Sequence, residues 1–578
     1  MKKQPRLVNL LTPEGEELKN QPKGFIPWNE YPRPRLKRDS FLCLNGEWGL
    51  SGEDFAETVL VPFVPESILS GIGRPMPKGE RLCYKRSFSL PEGFKKDRVI
   101  LHFGAVDQIA EVYLNGVFLG MHIGGYSGFS FDITKHLDSE NTLEVFVTDD
   151  GGKTLPYGKQ REKRGGMWYT PTSGIWQTVW LESLPAQYIS DVKVVTDCEK
   201  AEITVAVNEG RANGSVILHL DEGDEEFPLV RGRATITPKE PILWSPEEPY
   251  LYNITINVGE DSASSYFALR SLEILNIEGT PRLCLNGKPY FFHGLLDQGY
   301  FSDGIFLPAS PFGYERDIIV AKQLGFNMLR KHIKVEPEIF YYYCDTLGIA
   351  VFQDMVNNSG YSFIRDTLLP TVGVKKLSDK HLHRNPDSRA AFISGMDETV
   401  KQLSFHPSVC YWTIFNEGWG QFDHAAAYKR LKKQDGTRFV DSVSGWFTPV
   451  LSKNLKSDLD SFHVYFKKVR LKKATKKPIV LSEFGGYSYK IDDHSFNLDN
   501  NYGYRSFKTK EAFEAALDKL YTKEIVRAVK KSGLSASVYT QLSDVEDETN
   551  GIMTYDRRVI KASEELMKKI SKSLTGEN

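Results

Sequence analysis

Two glutamates stand where an apolar run gives way to a loop: Glu417 in TIFNEGWG (413–420) and Glu483 in VLSEFGG (480–486). Each follows a buried-looking strand and is followed closely by glycine, so a carboxylate is presented at a strand end just before the chain turns. A single glutamate at such a place is usually a cap or an ion-pair partner. Two on the same edge of one sheet form the pair that glycosidic cleavage needs. One protonates the leaving oxygen while the other attacks, or assists attack, at the anomeric carbon.

Further polar residues fall at equivalent positions. Asp297 lies just past PYFFHG (289–294), Arg330 ends the FNMLR stretch (326–330), and His332 follows it by two residues. Asp354 ends IAVFQD (349–354), Asn416 precedes Glu417, and Trp446 follows RFVDSVS (438–444). His463 and Tyr465 end LDSFHVY (459–465). A guanidinium and a phenol within reach of Glu483 favour its ionised form, which suits a nucleophile. Glu417 is flanked by Phe415, Gly418 and Trp419, an apolar setting that raises a carboxyl pKa and suits a proton donor. Arg330 at a buried edge needs partners, because an unpaired buried charge is costly.

The elements that must hold these residues follow from patterning. Residues 1–37 are rich in proline and charge and read as an extended leader. From 38 to 185 short alternating runs are separated by turn residues, and AEVYLNGVFLG places Asn-Gly between two apolar stretches, a hairpin signal. This predicts a jelly-roll β-sandwich, and residues 186–274 repeat the theme as an immunoglobulin-like β-sandwich. From 275 to 578 apolar strands alternate with helical stretches such as YERDIIVAKQLG and DSRAAFISGMDETVKQLSF. That is the rhythm of a (β/α)8 TIM barrel, whose active site lies at the C-terminal ends of its strands. An open doubly wound sheet would want a glycine-rich fingerprint after its first strand, and HGLLDQGY is not one.

Bulk properties narrow the classes. The chain has 578 residues, with Lys+Arg 73 against Asp+Glu 75, and no basic surplus points to nucleic acid. No apolar run reaches the length of a membrane span, and the N-terminus has no signal-peptide core. Six cysteines lie far apart without metal-site spacing, so free thiols in a cytoplasmic protein are expected.

The chain resembles glycoside hydrolase family 2, home of β-galactosidases, β-glucuronidases and β-mannosidases. The likeness rests on LNGEW (44–48), AEVYLNGVFLGMHIGGYSGFSFDIT (110–134), SGIWQTVWLE (173–182), WSPEEPYLY (244–252) and FALRSLEI (267–274), together with the two glutamate motifs. It implies net retention, with Glu483 as nucleophile and Glu417 as acid/base. It also implies that Asn416 bonds the sugar 2-hydroxyl, that Arg330 and Tyr465 hold the nucleophile, and that Asp297, Asp354 and Trp446 contact substrate; His332 and His463 are read as further substrate contacts from their place at the same edge. The family's glucuronidases read the sugar carboxylate with Asn-x-Lys after the last barrel strand, here SASVYTQL (535–542), where this chain has Glu548, Thr549 and Asn550. Lys331 and Lys334 beside FNMLR (326–330), and Arg505 and Lys508 in the loop 484–510 after VLSEFGG, offer cations for a uronate by another route.

The expectation is therefore an exo-acting β-glycosidase needing no cofactor or metal, with a β-galactoside ahead of a β-hexuronide. A transglycosylase shares the covalent intermediate, and a binding protein that had lost catalysis is the alternative of another class. The partner is a carbohydrate; the family's habits also allow a homo-oligomer. Residues 356–390 and 484–510 read as long loops shaping the pocket, and KQREKRGGMWYTPTSG (159–174) as a segment reaching over it, with Trp168 and Tyr169 near the aglycone.

Overall fold

A computed structural model describes residues 5–362, 364, 379–445 and 455–575. Trp446 and the middle of the 356–390 loop lie outside the described residues.

The first sandwich packs a four-stranded against a six-stranded antiparallel sheet around Trp48, Tyr84, Leu101, Val112 and Leu181. Its Asn-Gly hairpin forms as expected: Leu114 pairs with Val117, and Asn115 and Gly116 take φ of 51° and 79°. Positive φ at both turn residues is what a two-residue loop needs to match the twist of its strands. The second sandwich sets a three-stranded against a four-stranded sheet and buries Val192, Ile203, Val216 and Ile254 between them. The six cysteines are unpaired. Among the described residues no helix is long and apolar enough to cross a membrane.

The barrel strands are strand 1 (Phe292–Asp297), strand 2 (Met328–Lys331), strand 3 (Ala350–Asp354), strand 4 (Val409–Asn416), strand 5 (Phe439–Ser444), strand 6 (Asp460–Val464), strand 7 (Ile479–Gly485) and strand 8 (Leu534–Thr540). They hydrogen-bond in parallel in the order 5-4-3-2-1-8-7-6, a nearly closed ring. Helices Phe312–Gln323, Glu338–Leu347, Pro386–Leu403, His424–Gln434, Lys510–Leu520 and Glu564–Thr575 lie among them, whereas residues 465–478, between strands 6 and 7, carry no helix. A hairpin of Leu272–Ile277 and Thr280–Leu285 precedes strand 1 and brings Leu283 against Phe292, Phe352, Val480 and Ala536.

Alternation along the strands sorts the interior into an apolar base and a polar mouth. Phe352 stacks on Tyr411, centroids 4.1 Å apart, and packs against Phe292. Two residues further along strands 2 and 3 stand Arg330 and Asp354, on the same faces as Met328 and Phe352.

The N-terminal segment is a strap across all three domains. Thr12 caps helix Pro13–Lys19 and donates from its N–H and hydroxyl to Asp303 Oδ2 at 2.8 and 2.6 Å. Arg35 joins Asp191 of the second sandwich to Glu338 of the barrel, and Arg38 pairs with Asp261 at 2.7 Å.

Candidate active site

Arg330 organises the barrel mouth. Its Nε and Nη2 donate to the two oxygens of Asp354 at 3.0 and 2.9 Å. Nη2 also donates to Asn416 Oδ1 at 2.9 Å, and Nη1 to the Ser482 carbonyl at 2.9 Å and Glu483 Oε1 at 3.0 Å. All five guanidinium donors are thus engaged. Burial disfavours the charge, yet Asp354 and Glu483 hold Arg330 above its ordinary pKa. Because Oδ1 of Asn416 is taken, the amide nitrogen is the end left to donate elsewhere.

Glu483 is buried and receives the Tyr465 hydroxyl on Oε2. Burial pushes its pKa up, but His463, Arg330, His332 and the Tyr465 donor together hold it below the ordinary glutamate value. Tyr465 is itself fixed by Tyr504, stacked at 3.7 Å and 10°. This explains the glycines of SEFGG: at Gly486, φ +65°, a Cβ would lie 2.3 Å from the Tyr504 ring, and at Gly485 it would lie 2.4 Å from Tyr539.

Glu417 sits across the mouth on a backbone of φ 50°, followed by Gly418 at 75°. An L-residue in that region is uncommon and clusters at functional sites. Its partner differs from the apolar setting that its neighbours in sequence suggest: Oε1 lies 2.7 Å from His463 Nδ1. The same nitrogen is 3.6 Å from Glu483 Oε2, and the other ring nitrogen is 3.0 Å from Ser444 Oγ. One imidazole therefore bridges the two glutamates, and a carboxylate oxygen of each lies within 4.8 Å of the other and of the His463 ring.

The remaining expected residues divide. His332 touches Asp354 at 2.9 Å and joins this cluster, its pKa lowered by burial. Asp297 accepts from Lys331 Nζ at 2.5 Å and the Gly299 N–H at 2.8 Å. Lys331 is fully buried, and its ammonium is committed to Asp297 and Glu336; Lys334 binds both oxygens of Glu336 at 2.9 Å. Neither lysine is available to a uronate, because Asp297 and Glu336, the latter unremarked in the sequence, together balance their two charges. Arg505 and Lys508 are exposed, on and just past a short ribbon formed by Tyr487–Tyr489 and Arg505–Phe507. Arg505 lies over the Phe507 ring at 5.0 Å.

Further residues come from outside the strand ends, among them the segment read in the sequence as reaching over the pocket. Segment 153–172 of the first sandwich crosses to the barrel: Tyr157 N–H donates to the Asn357 carbonyl at 3.0 Å, and Thr170 N–H to Glu546 Oε1 at 2.7 Å. Trp168 stacks on Trp419 at 5.4 Å, with Tyr361 edge-on to both. After strand 8, Gln541 Nε2 donates to Glu548 Oε2 at 2.8 Å and Asn550 Oδ1 at 2.9 Å. Burial raises the Glu548 pKa. Glu548 and Asn550 are two of the three residues of DVEDETN already singled out in the sequence.

A β-sandwich, an immunoglobulin-like sandwich and a barrel with facing carboxylates at its mouth define the architecture of a multidomain glycosidase. The match to the model "Glycosyl hydrolases family 2, TIM barrel domain" covers residues 277–574, and "Glycosyl hydrolase 2 galactose-binding domain-like" and "Glycosyl hydrolases family 2" match 77–177 and 187–270. The chain belongs to glycoside hydrolase family 2.

A β-galactosidase from Thermoanaerobacter pseudethanolicus is 26% identical over 352 residues, covering 56% of this chain and 45% of that protein. A β-glucuronidase from Bacteroides fragilis is 23% identical over 62% of this chain and 54% of its own. The chain thus spans about half the length of such relatives. Among solved structures, a β-D-glucuronidase from Dictyoglomus thermophilum superposes with a TM-score of 0.72 at 20% identity, covering 94% of this chain and 98% of that one. A β-galacturonidase from Eisenbergiella tayi bound to galacturonate superposes with a TM-score of 0.69 at 19% identity, covering 96% and 100%. These likenesses concern the fold.

Proposed function

We propose that the chain is a retaining exo-β-glycosidase that removes a terminal β-linked sugar through a covalent intermediate on Glu483. The observation that carries this reading is the closeness of the carboxylates: oxygens of Glu417 and Glu483 lie within 4.8 Å. Retaining pairs stand about 5–5.5 Å apart, whereas inverting pairs leave roughly 6.5–9.5 Å for a water.

In the first step Glu483 attacks the anomeric carbon while Glu417 gives its proton to the departing oxygen. In the second, Glu417 takes a proton from water, which attacks the same carbon and releases Glu483. The ionised form of Glu483 suits the attack, and Tyr465 and Arg330 aim it. The Asn416 amide nitrogen is placed to meet a 2-hydroxyl, an interaction that tightens in the transition state. The aromatic wall of Trp168, Tyr361 and Trp419 narrows the mouth and favours a pocket for a chain end over an open cleft. A binding protein without catalysis has no use for a nucleophile held ionised beside a second carboxylate.

A panel of nitrophenyl β-galactosides, glucosides, mannosides and hexuronides tests the reading. Turnover of at least one is expected; Glu483→Gln abolishes it, and Glu417→Gln spares the first step on aryl glycosides with good leaving groups. Equal residual activity of both variants on such a substrate counts against the assignment.

A further inference from the structure

One charge at the barrel mouth has no place in this chemistry. Lys159 enters on the crossing segment of the first sandwich, anchored where its carbonyl accepts the Tyr169 N–H at 3.0 Å, and is only 6% exposed. Its ammonium lies 5.5 Å from the centre of the Tyr169 ring and 5.7 Å from that of Trp419. Among the described residues, no hydrogen bond or ion pair engages it. Two ring faces at that range offset part of the desolvation of a cation, but they do not replace an anion. By contrast, Arg330 is engaged by five acceptors, and Lys331 and Lys334 by Asp297 and Glu336.

The position of Lys159 matters as much as its lack of a partner. Trp419 follows Glu417 by two residues, so the ammonium borders the space beside the acid/base. Its charge is felt by His332, whose pKa burial chiefly lowers and Lys159 lowers further, and by Glu548, whose burial-raised pKa Lys159 pulls back. Glu548 is held by Gln541, and more than hydrogen-bonding distance separates it from the lysine.

We propose that Lys159 receives an anionic group of the glycone, the carboxylate of a β-hexuronide, and so sets the substrate class of the site. This rests on the glycosidase reading. A compact ammonium in a desolvated site suits a single carboxylate, and a sugar sulfate ester offers the same charge from another source.

The test measures kcat/KM on nitrophenyl β-galacturonide, β-glucuronide, β-galactoside and β-galactoside 6-sulfate, and binding of the free hexuronic acids and hexoses by calorimetry, for the full chain. One hexuronide is expected to exceed its neutral counterpart by 100-fold or more. Lys159→Met should shrink that ratio by at least 30-fold and abolish hexuronate binding, while Lys159→Arg restores part of both. If Lys159→Met fails to fold, Lys159→Gln and Lys159→Arg carry the comparison. A neutral sugar preferred by the wild type, a hexuronide preference unchanged in the variants, or a preference for the sulfate ester alone would overturn the proposal while leaving the glycosidase reading in place. Lys159-dependent hexuronate binding without turnover of any substrate would instead sink the glycosidase reading and leave the anion site standing.

Discussion

Arg330 and Glu483 meet through one hydrogen bond, Nη1 to Oε1 at 3.0 Å, while the other edge of the same guanidinium is gripped by both oxygens of Asp354. The nucleophile is therefore aimed by a fork whose own orientation is fixed from strand 3. A lysine keeps the charge but cannot reproduce a planar fork with five donors. Arg330→Lys should lower kcat by about 100-fold or more, in line with what losing positioning within a site costs. Removal of the charge in Arg330→Ala leaves Asp354 and Glu483 buried and uncompensated, a loss of about 3–5 kcal/mol. Steady-state kinetics and chemical denaturation check the two halves.

Tyr465 gives its hydroxyl to Glu483 and rests on Tyr504. Donation to the ionised form lowers a carboxyl pKa, so its removal raises it. Tyr465→Phe should move the acid limb of kcat/KM to higher pH, since a larger fraction of Glu483 is then protonated at any given acidity. A pH–rate profile with an unmoved acid limb would argue that the phenol only packs.

Stability should follow Asp354. Burial alone would raise its pKa, but Arg330 and His332 hold it below the ordinary value. A carboxyl depressed in the folded state contributes stability above its unfolded pKa, about 3.9, and loses that contribution as pH falls through the lower folded value. Asp354→Asn should therefore lower the melting temperature markedly at pH 7 and much less near pH 3, as read by thermal denaturation at the two pH values.

Much of this was legible in the sequence because strand ends obey a simple rule. Residues two apart share a face, so the base-filling Phe352 predicts an inward Asp354, and the barrel's rhythm predicts which edge is the mouth. Strands 1, 2, 3, 5 and 6 fall within three residues of PYFFHG, FNMLR, IAVFQD, RFVDSVS and LDSFHVY, the runs that announce them. The sequence says less about what a long side chain touches. Lys331 and Lys334 look like cations facing a ligand until Glu336 folds between them. Lys159 sits in KQREKR, at the start of the segment read as reaching over the pocket, but that reading does not tell which of its charges the approach of the sandwich to the barrel buries. Glu417 shows the same limit: its neighbours in sequence are apolar, while its partner in space is His463 from strand 6. Residues 465–478 show it for an element, where the expected barrel repeat has no helix.

The central claim is that Glu483 carries the sugar. Incubation with a 2-deoxy-2-fluoro aryl β-glycoside of the preferred glycone slows release of the glycosyl-enzyme, and proteolysis followed by mass spectrometry locates the added mass. One fluorosugar is expected on the peptide containing Glu483, absent from Glu483→Gln and still formed by Glu417→Gln. A label on Glu417, or inverted product with no label on either glutamate, would contradict it.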